Sequence, residues 1–153
     1  FADFQAHLAD GSAAGSGFVR PNWWLVYVVP EHCDAACRNR LFQMRQVRKA
    51  LGREAERVQP LLVVTSALSA ETENLLEKEF PGIVRVQADA ARVNRALERL
   101  MPEASSAGNL FIMDPMGWLM LTYGPEADEE TSVIKAEDIL NDLKKLLKAS
   151  RIG

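Results

Sequence analysis

The sequence predicts an α/β domain in which a mixed β-sheet is covered by helices on both faces. Three observations carry this expectation. Short runs rich in β-branched and aromatic residues alternate along the chain with stretches of helical apolar periodicity, the pattern of parallel βαβ units. The helical stretches open on Asp34, Ser69 and Asp89, side chains that accept the unpaired N–H groups of a first helical turn. The last two apolar runs are joined by Asp114-Pro115-Met116-Gly117, whose residue types fit a type I turn and make those strands antiparallel.

With 153 residues and 48% hydrophobic content the chain suits one well-cored domain and is short for two. The expected division is a flexible N-terminal segment over 1–21, because Ala9 to Gly17 is small and polar, followed by the folded domain over 22–153. The chain begins at Phe1, so a processed or truncated product is expected, with any signal peptide or membrane anchor upstream. No apolar run approaches the roughly 18 to 20 residues that span a bilayer.

The elements follow in order. Trp23 to Val29 reads as a buried strand that Pro30 ends, and a helix begins near Asp34 with Cys37, Leu41, Met44, Val47 and Leu51 on its inner stripe. Gln59 to Thr65 is a second strand with Pro60 at its start or edge. Ser69 caps a helix with Glu71 and Glu73 in the first turn and Leu75, Leu76 and Phe80 inward; Pro81-Gly82 stops it. Ile83 to Ala88 is a third strand, and Asp89 caps a helix burying Val93, Ala96, Leu97 and Leu100 before Pro102. Asn109 to Met113 and Trp118 to Tyr123 form the hairpin, and Gly124 to Thr131 reads as an acidic loop. The last helix turns Ala136, Ile139, Leu140, Leu143, Leu146 and Leu147 inward, with Lys144, Lys145, Lys148 and Arg151 toward its negative end.

The only two cysteines, Cys33 and Cys37, sit at the corner between the first strand and its helix. Four residues apart, they are compatible with a disulfide or with two thiolates on one metal ion. A helix start favours thiolate over thiol, which makes both candidate catalytic residues. Cys37 shares the apolar stripe and should face inward, leaving Cys33 the more exposed. Functional groups in such sheets gather at the C-terminal ends of strands, where this pair lies.

Other classes find little support. A net charge of -3 gives no global drive toward nucleic acid or anionic lipid. Between residues 38 and 57, however, Arg38, Arg40, Arg45, Arg48, Lys49, Arg53 and Arg57 face only Glu54 and Glu56, either as a solvated helix face or as a docking face for an acidic partner. No Ser-His-Asp set, phosphate-binding Gly loop or zinc-type cysteine cluster is evident. His7 has no metal-ligand spacing to any partner.

Cys33-Asp34-Ala35-Ala36-Cys37, preceded by His32 and the Trp-Trp-Leu-Val-Tyr strand, resembles the corner of the Sco family of copper-handling proteins, within the thioredoxin-like fold. Thioredoxins themselves place two residues between the cysteines; this chain places three. The extra helix and strand between Ser69 and Ala88 match Sco and peroxiredoxin-like proteins, and Asp114-Pro115-Met116-Gly117 followed by Tyr123-Gly124 agrees as well. The resemblance covers roughly Asn22 to Leu147. It implies an accessory protein of cytochrome c oxidase assembly, acting as a thiol reductant or Cu(I) carrier toward an oxidase subunit or another cuproprotein. It also implies a periplasmic or intermembrane-space location with an N-terminal anchor.

Carried residue by residue, the resemblance makes Cys33 and Cys37 the two sulfur ligands for copper, and makes His32 a neighbour that is not a ligand. The family's histidine ligand falls near Ser105, Ser106 or Ala107, none of which has an imidazole. Two thiolates suit Cu(I), whereas Cu(II) calls for nitrogen as well. The candidate replacements are His32 and the thioether of Met116 at the turn tip; Met113 and Met120 read as strand packing. Two alternatives stand beside this reading. One is a general thiol-disulfide oxidoreductase in which Cys33 attacks and Cys37 resolves. The other is a redox-silent thioredoxin-like binding module.

Overall fold

The structure, a computed structural model, describes residues 1–98, 108–124 and 129–152. Its centre is β1 (Trp23–Val29), where all seven residues are buried. Trp23, Leu25, Tyr27 and Val29 enter the apolar cluster on one face, and Trp24, Val26 and Val28 enter the cluster on the other. A strand covered on both faces reads as a continuous apolar run rather than an alternating one. Beside it lies β2 (Val58–Val64), parallel, and beyond that β3 (Val84–Gln87), also parallel. On the other side β4 (Leu110–Met113) pairs antiparallel with β1, and β5 (Leu119–Tyr123) closes the order β3-β2-β1-β4-β5.

Three helices cover the first face. α2 (Ala35–Ala50) contributes Cys37, Leu41, Met44 and Val47; α3 (Ala70–Glu79) contributes Leu76; and α5 (Glu129–Ile152) contributes Ile139, Leu143 and Leu147. The other face is covered by α4 (Ala90–Leu97) through Val93 and Leu97, by α1 (Ser16–Val19) through Val19, and by Phe4 and Ala6. Each buried large apolar side chain contributes roughly 1.5–3 kcal/mol. Pro60 is tolerated inside β2 because pairing with β3 starts only at Leu61.

The first 21 residues correct the expectation of a loose segment. His7 exchanges two backbone hydrogen bonds with Gln87, both 2.8 Å, so this segment covers the outer edge of β3. Phe1, Phe4 and Phe18 form a ring chain that ends on Trp24, with centroids 5.2–6.2 Å apart. The anchoring residues are too irregularly spaced to show helical or strand periodicity, which is why composition alone suggests a linker. α5 also starts earlier than the expected acidic loop allows, at Glu129. Leu100, Pro102 and residues 105–107 lie outside the described residues, as does the side chain of Arg151.

The basic run of α2 is used largely inside the molecule. Arg40 is buried and donates to the Gly124 carbonyl at the end of β5. Arg45 donates to the Glu79 carbonyl at the end of α3 and lies over the Phe42 and Phe80 rings, 4.9 and 4.8 Å from their centroids. Arg48 donates to Val58, and Arg57 to Glu54 and the Leu147 carbonyl. These four arginines pin α2 and the turn after it to other elements; Arg45 does so from an exposed position, and Arg38, Lys49 and Arg53 are exposed as well.

Candidate redox site

β1 ends at Val29, and the chain turns through Pro30 to the cap of α2. Asp34 is that cap, its carboxylate accepting the Cys37 N–H at 2.9 Å. Cys33 therefore lies one residue before the cap and Cys37 in the first turn. The two are joined as a disulfide with Cα atoms 5.1 Å apart. Cys37 is 2% exposed among Leu41 and its neighbours, as its place on the apolar stripe implies. Cys33 is half-buried at the rim of the same cluster, the more exposed residue of the two.

Thr72 holds this corner from α3. It is 2% exposed, and its Oγ1 accepts the Cys33 N–H at 3.1 Å and donates to the Glu31 carbonyl at 3.1 Å. Ser69, the cap of α3, lies 2.8 Å away; with the Thr72 proton committed to Glu31, the Ser69 hydroxyl is the donor of that contact. Ser69 also accepts the Thr72 N–H and donates its own N–H to Glu31. Sequence reasoning identified Ser69 as a cap and missed Thr72. The available signal was a hydroxyl at the third helical position, where a cap and its neighbour exchange hydrogen bonds.

The sequence-predicted donors are not brought together. The His32 side chain is 77% exposed, with Nε2 3.9 Å from the Glu31 carboxylate. Met116 must be withdrawn as a ligand. The β1–β4 register pairs Trp24 with Met113, which puts the hairpin turn beyond the start of β1, while the cysteines follow its end. Seven strand residues separate the two ends by about 20 Å. The Met116 sulfur instead meets the Arg20 guanidinium at 2.8 Å. Met113 is core, and Met120 lies at a register shift in β5, exposed. His7 stands outside the β3 edge, three strand spacings or about 14 Å from β1. It lines a cleft of about 950 Å³ with Leu68, Glu73, Arg85 and Arg92.

In the oxidised form the pair offers no thiolate. Two-electron reduction frees two sulfurs one turn apart, a donor set that fits Cu(I) and not Cu(II). Among the described residues no group of three or more His, Cys, Asp or Glu side chains could hold a metal ion. Among them also, no helix is long and apolar enough to cross a membrane.

A mixed sheet with a cysteine pair at the head of the helix after its central strand defines a thioredoxin-like dithiol–disulfide protein. The chain belongs to the family described as transmembrane-like, thioredoxin-like, C-terminal domain, which matches residues 23–150. No curated protein sequence matches it. Among solved structures, copper-bound Sco1 of yeast superposes with a TM-score of 0.62 at 18% identity, covering 92% of this chain and 90% of that one. Copper-bound ScoI of Bradyrhizobium japonicum gives 0.55 at 17%, covering 88% and 96%. The bacterioferritin comigratory protein of Xanthomonas campestris, described for its alkyl peroxide reduction activity, gives 0.57 at 15%, covering 94% and 92%. At these identities the likeness establishes the fold, including the extra helix and strand formed by α3 and β3.

Proposed function

We propose that this chain is a Sco-like accessory protein of cytochrome c oxidase assembly that passes two electrons between Cys33–Cys37 and the cysteines of a protein partner. That partner is an oxidase subunit or another cuproprotein on the periplasmic or intermembrane-space side of a membrane. The observation that carries the reading is a disulfide at the head of α2 with one cysteine half-buried and the other fully buried. In the reducing direction the Cys33 thiolate attacks a partner disulfide, whose S–S bond breaks and releases one partner thiolate. The Cys37 thiolate then attacks Cys33 Sγ in the mixed disulfide and releases the second. Two electrons and two protons pass to the partner, and Cys33–Cys37 re-forms. In the reduced state the same sulfurs are the ligands for Cu(I).

Among the described residues no third donor stands beside the sulfurs, which favours a second reading, a thiol-disulfide oxidoreductase that carries no copper. An anaerobic Cu(I) titration of the reduced chain against a competing chelator, repeated on Cys33→Ser, separates the two. Tight one-to-one binding lost in the variant supports the copper carrier. Binding no stronger than that of an unstructured dithiol removes copper from the proposal and leaves the redox step.

A further inference from the structure

Glu31, His32 and Cys33 lead from β1 into the disulfide, and three hydrogen bonds tie this segment to the first turn of α3. The Glu31 carbonyl accepts the Ser69 N–H and the Thr72 hydroxyl, each at 3.1 Å, and Thr72 Oγ1 accepts the Cys33 N–H, also at 3.1 Å. Ser69 Oγ lies 2.8 Å from Thr72 Oγ1 and accepts the Thr72 N–H at 3.2 Å, which keeps the Thr72 hydroxyl turned toward Glu31. Thr72 is 2% exposed, and its burial shields these bonds from solvent. Cys37 is held separately, its N–H on the Asp34 carboxylate at the cap of α2. Cys33 is thus positioned from α3 and Cys37 from α2, and neither anchor passes through the S–S bond.

We infer that Thr72 is a positioning residue for the redox couple: it keeps the Cys33 backbone in its disulfide-forming conformation after the S–S bond is broken, and so makes Cys33–Cys37 more reducing. The inference rests on the dithiol–disulfide reading of the site and deepens it. In the oxidised chain Cys33 has two tethers, its bond to Cys37 and the hydrogen bond from its N–H to Thr72. In the reduced chain only the second is left. Without the Thr72 hydroxyl, the segment from Glu31 to Cys33 gains backbone freedom in the reduced state that the disulfide denies it in the oxidised state. That entropy favours the dithiol, and the effective concentration of one sulfur at the other falls. The lost hydrogen bond itself is common to both states and leaves their balance unchanged.

The test is the equilibrium of the 153-residue chain with dithiothreitol buffers, read by acid trapping of the thiols, for wild type, Thr72→Val and Thr72→Ser. Reduction turns two dithiothreitol thiols into its cyclic disulfide and passes two electrons and two protons to Cys33–Cys37. Thr72→Val, of nearly the same shape, should raise the equilibrium constant for reduction about tenfold, or about 30 mV for a two-electron couple. Thr72→Ser retains the hydroxyl and should stay near wild type. Asp89→Ala removes the cap of α4, on the other face of the sheet, and should leave the constant unchanged although it weakens the fold. Circular dichroism confirms the fold of each variant in both redox states. If Thr72→Val does not fold, Ser69→Gly carries the test: it removes the hydroxyl that orients Thr72, keeps a residue accepted at helix caps, and should give a smaller shift of the same sign. A folded Thr72→Val with the wild-type constant, or an equal shift in Asp89→Ala, overturns the proposal and leaves Thr72 a structural residue only. The redox reading is judged by the wild-type potential alone, so the two fail separately.

Discussion

Thr72 Oγ1 accepts the backbone N–H of Cys33 at 3.1 Å, joining the first turn of α3 to the more exposed cysteine of the pair. The same hydroxyl holds the Glu31 carbonyl, so the segment entering the disulfide is fixed at two points by one buried side chain. Thr72→Val keeps the shape and removes the hydroxyl, leaving the Cys33 N–H and the Ser69 hydroxyl without their partner. The expected cost is about 1–3 kcal/mol in urea unfolding of the oxidised chain, with a smaller loss for Thr72→Ser.

Asp34 gives α2 its cap but also sets a carboxylate against the Cys37 N–H. In the reduced chain that negative charge opposes thiolate formation while the helix start favours it. Asp34→Asn retains an oxygen acceptor and removes the charge. Alkylation of the reduced variant, followed against pH, should reach half its maximal rate at a lower pH than in wild type. Asp34→Ala should instead destabilise the fold by about 1 kcal/mol through loss of the cap.

The basic residues of α2 and the turn after it divide by use. Removing the buried guanidinium in Arg40→Met strips the Gly124 carbonyl of its donor and should cost about 1–3 kcal/mol. Lys49→Ala and Arg53→Ala, on exposed side chains, should stay within about 0.5 kcal/mol of wild type. Chemical denaturation of the three variants side by side checks the division.

Burial, and then the hydrogen bond to Asp142 at 2.6 Å, raise the Tyr123 hydroxyl above its ordinary pKa of 10.0. Tyr27 is shifted in the same direction, also mainly by burial. A raised folded-state pKa means that the native chain holds these protons after the unfolded chain has lost them. Their contribution is therefore fully present below pH 10.0 and falls as pH rises above it. Denaturant midpoints measured across that range should drop, and the drop should be shallower in Tyr123→Phe.

Most of the architecture was legible because its signals are local. Asp34, Ser69 and Asp89 each cap the helix their residue types announce, and Asp114 accepts the Met116 and Trp118 N–H groups in the turn its pattern specifies. The stripe through Cys37 correctly placed one sulfur inside. What escaped depends on contacts distant in sequence. Thr72 meets Cys33 across 39 residues, the N-terminal aromatics meet Trp24 and one another without periodicity, and the arginines of α2 and the turn after it find carbonyls on four other segments. Met116 failed as a candidate ligand because a turn motif reveals that strands pair but not which end of the sheet the turn occupies. That follows only from the β1–β4 register.

The central claim is that Cys33–Cys37 is an exchangeable couple rather than a structural staple. Its most direct test is the reduction potential, measured by equilibrating the chain with glutathione buffers and trapping the thiols with acid. The account predicts a potential above about −300 mV, in the range of working thiol-disulfide proteins. A couple below about −300 mV, resistant to the glutathione pool, would contradict it and make the disulfide structural.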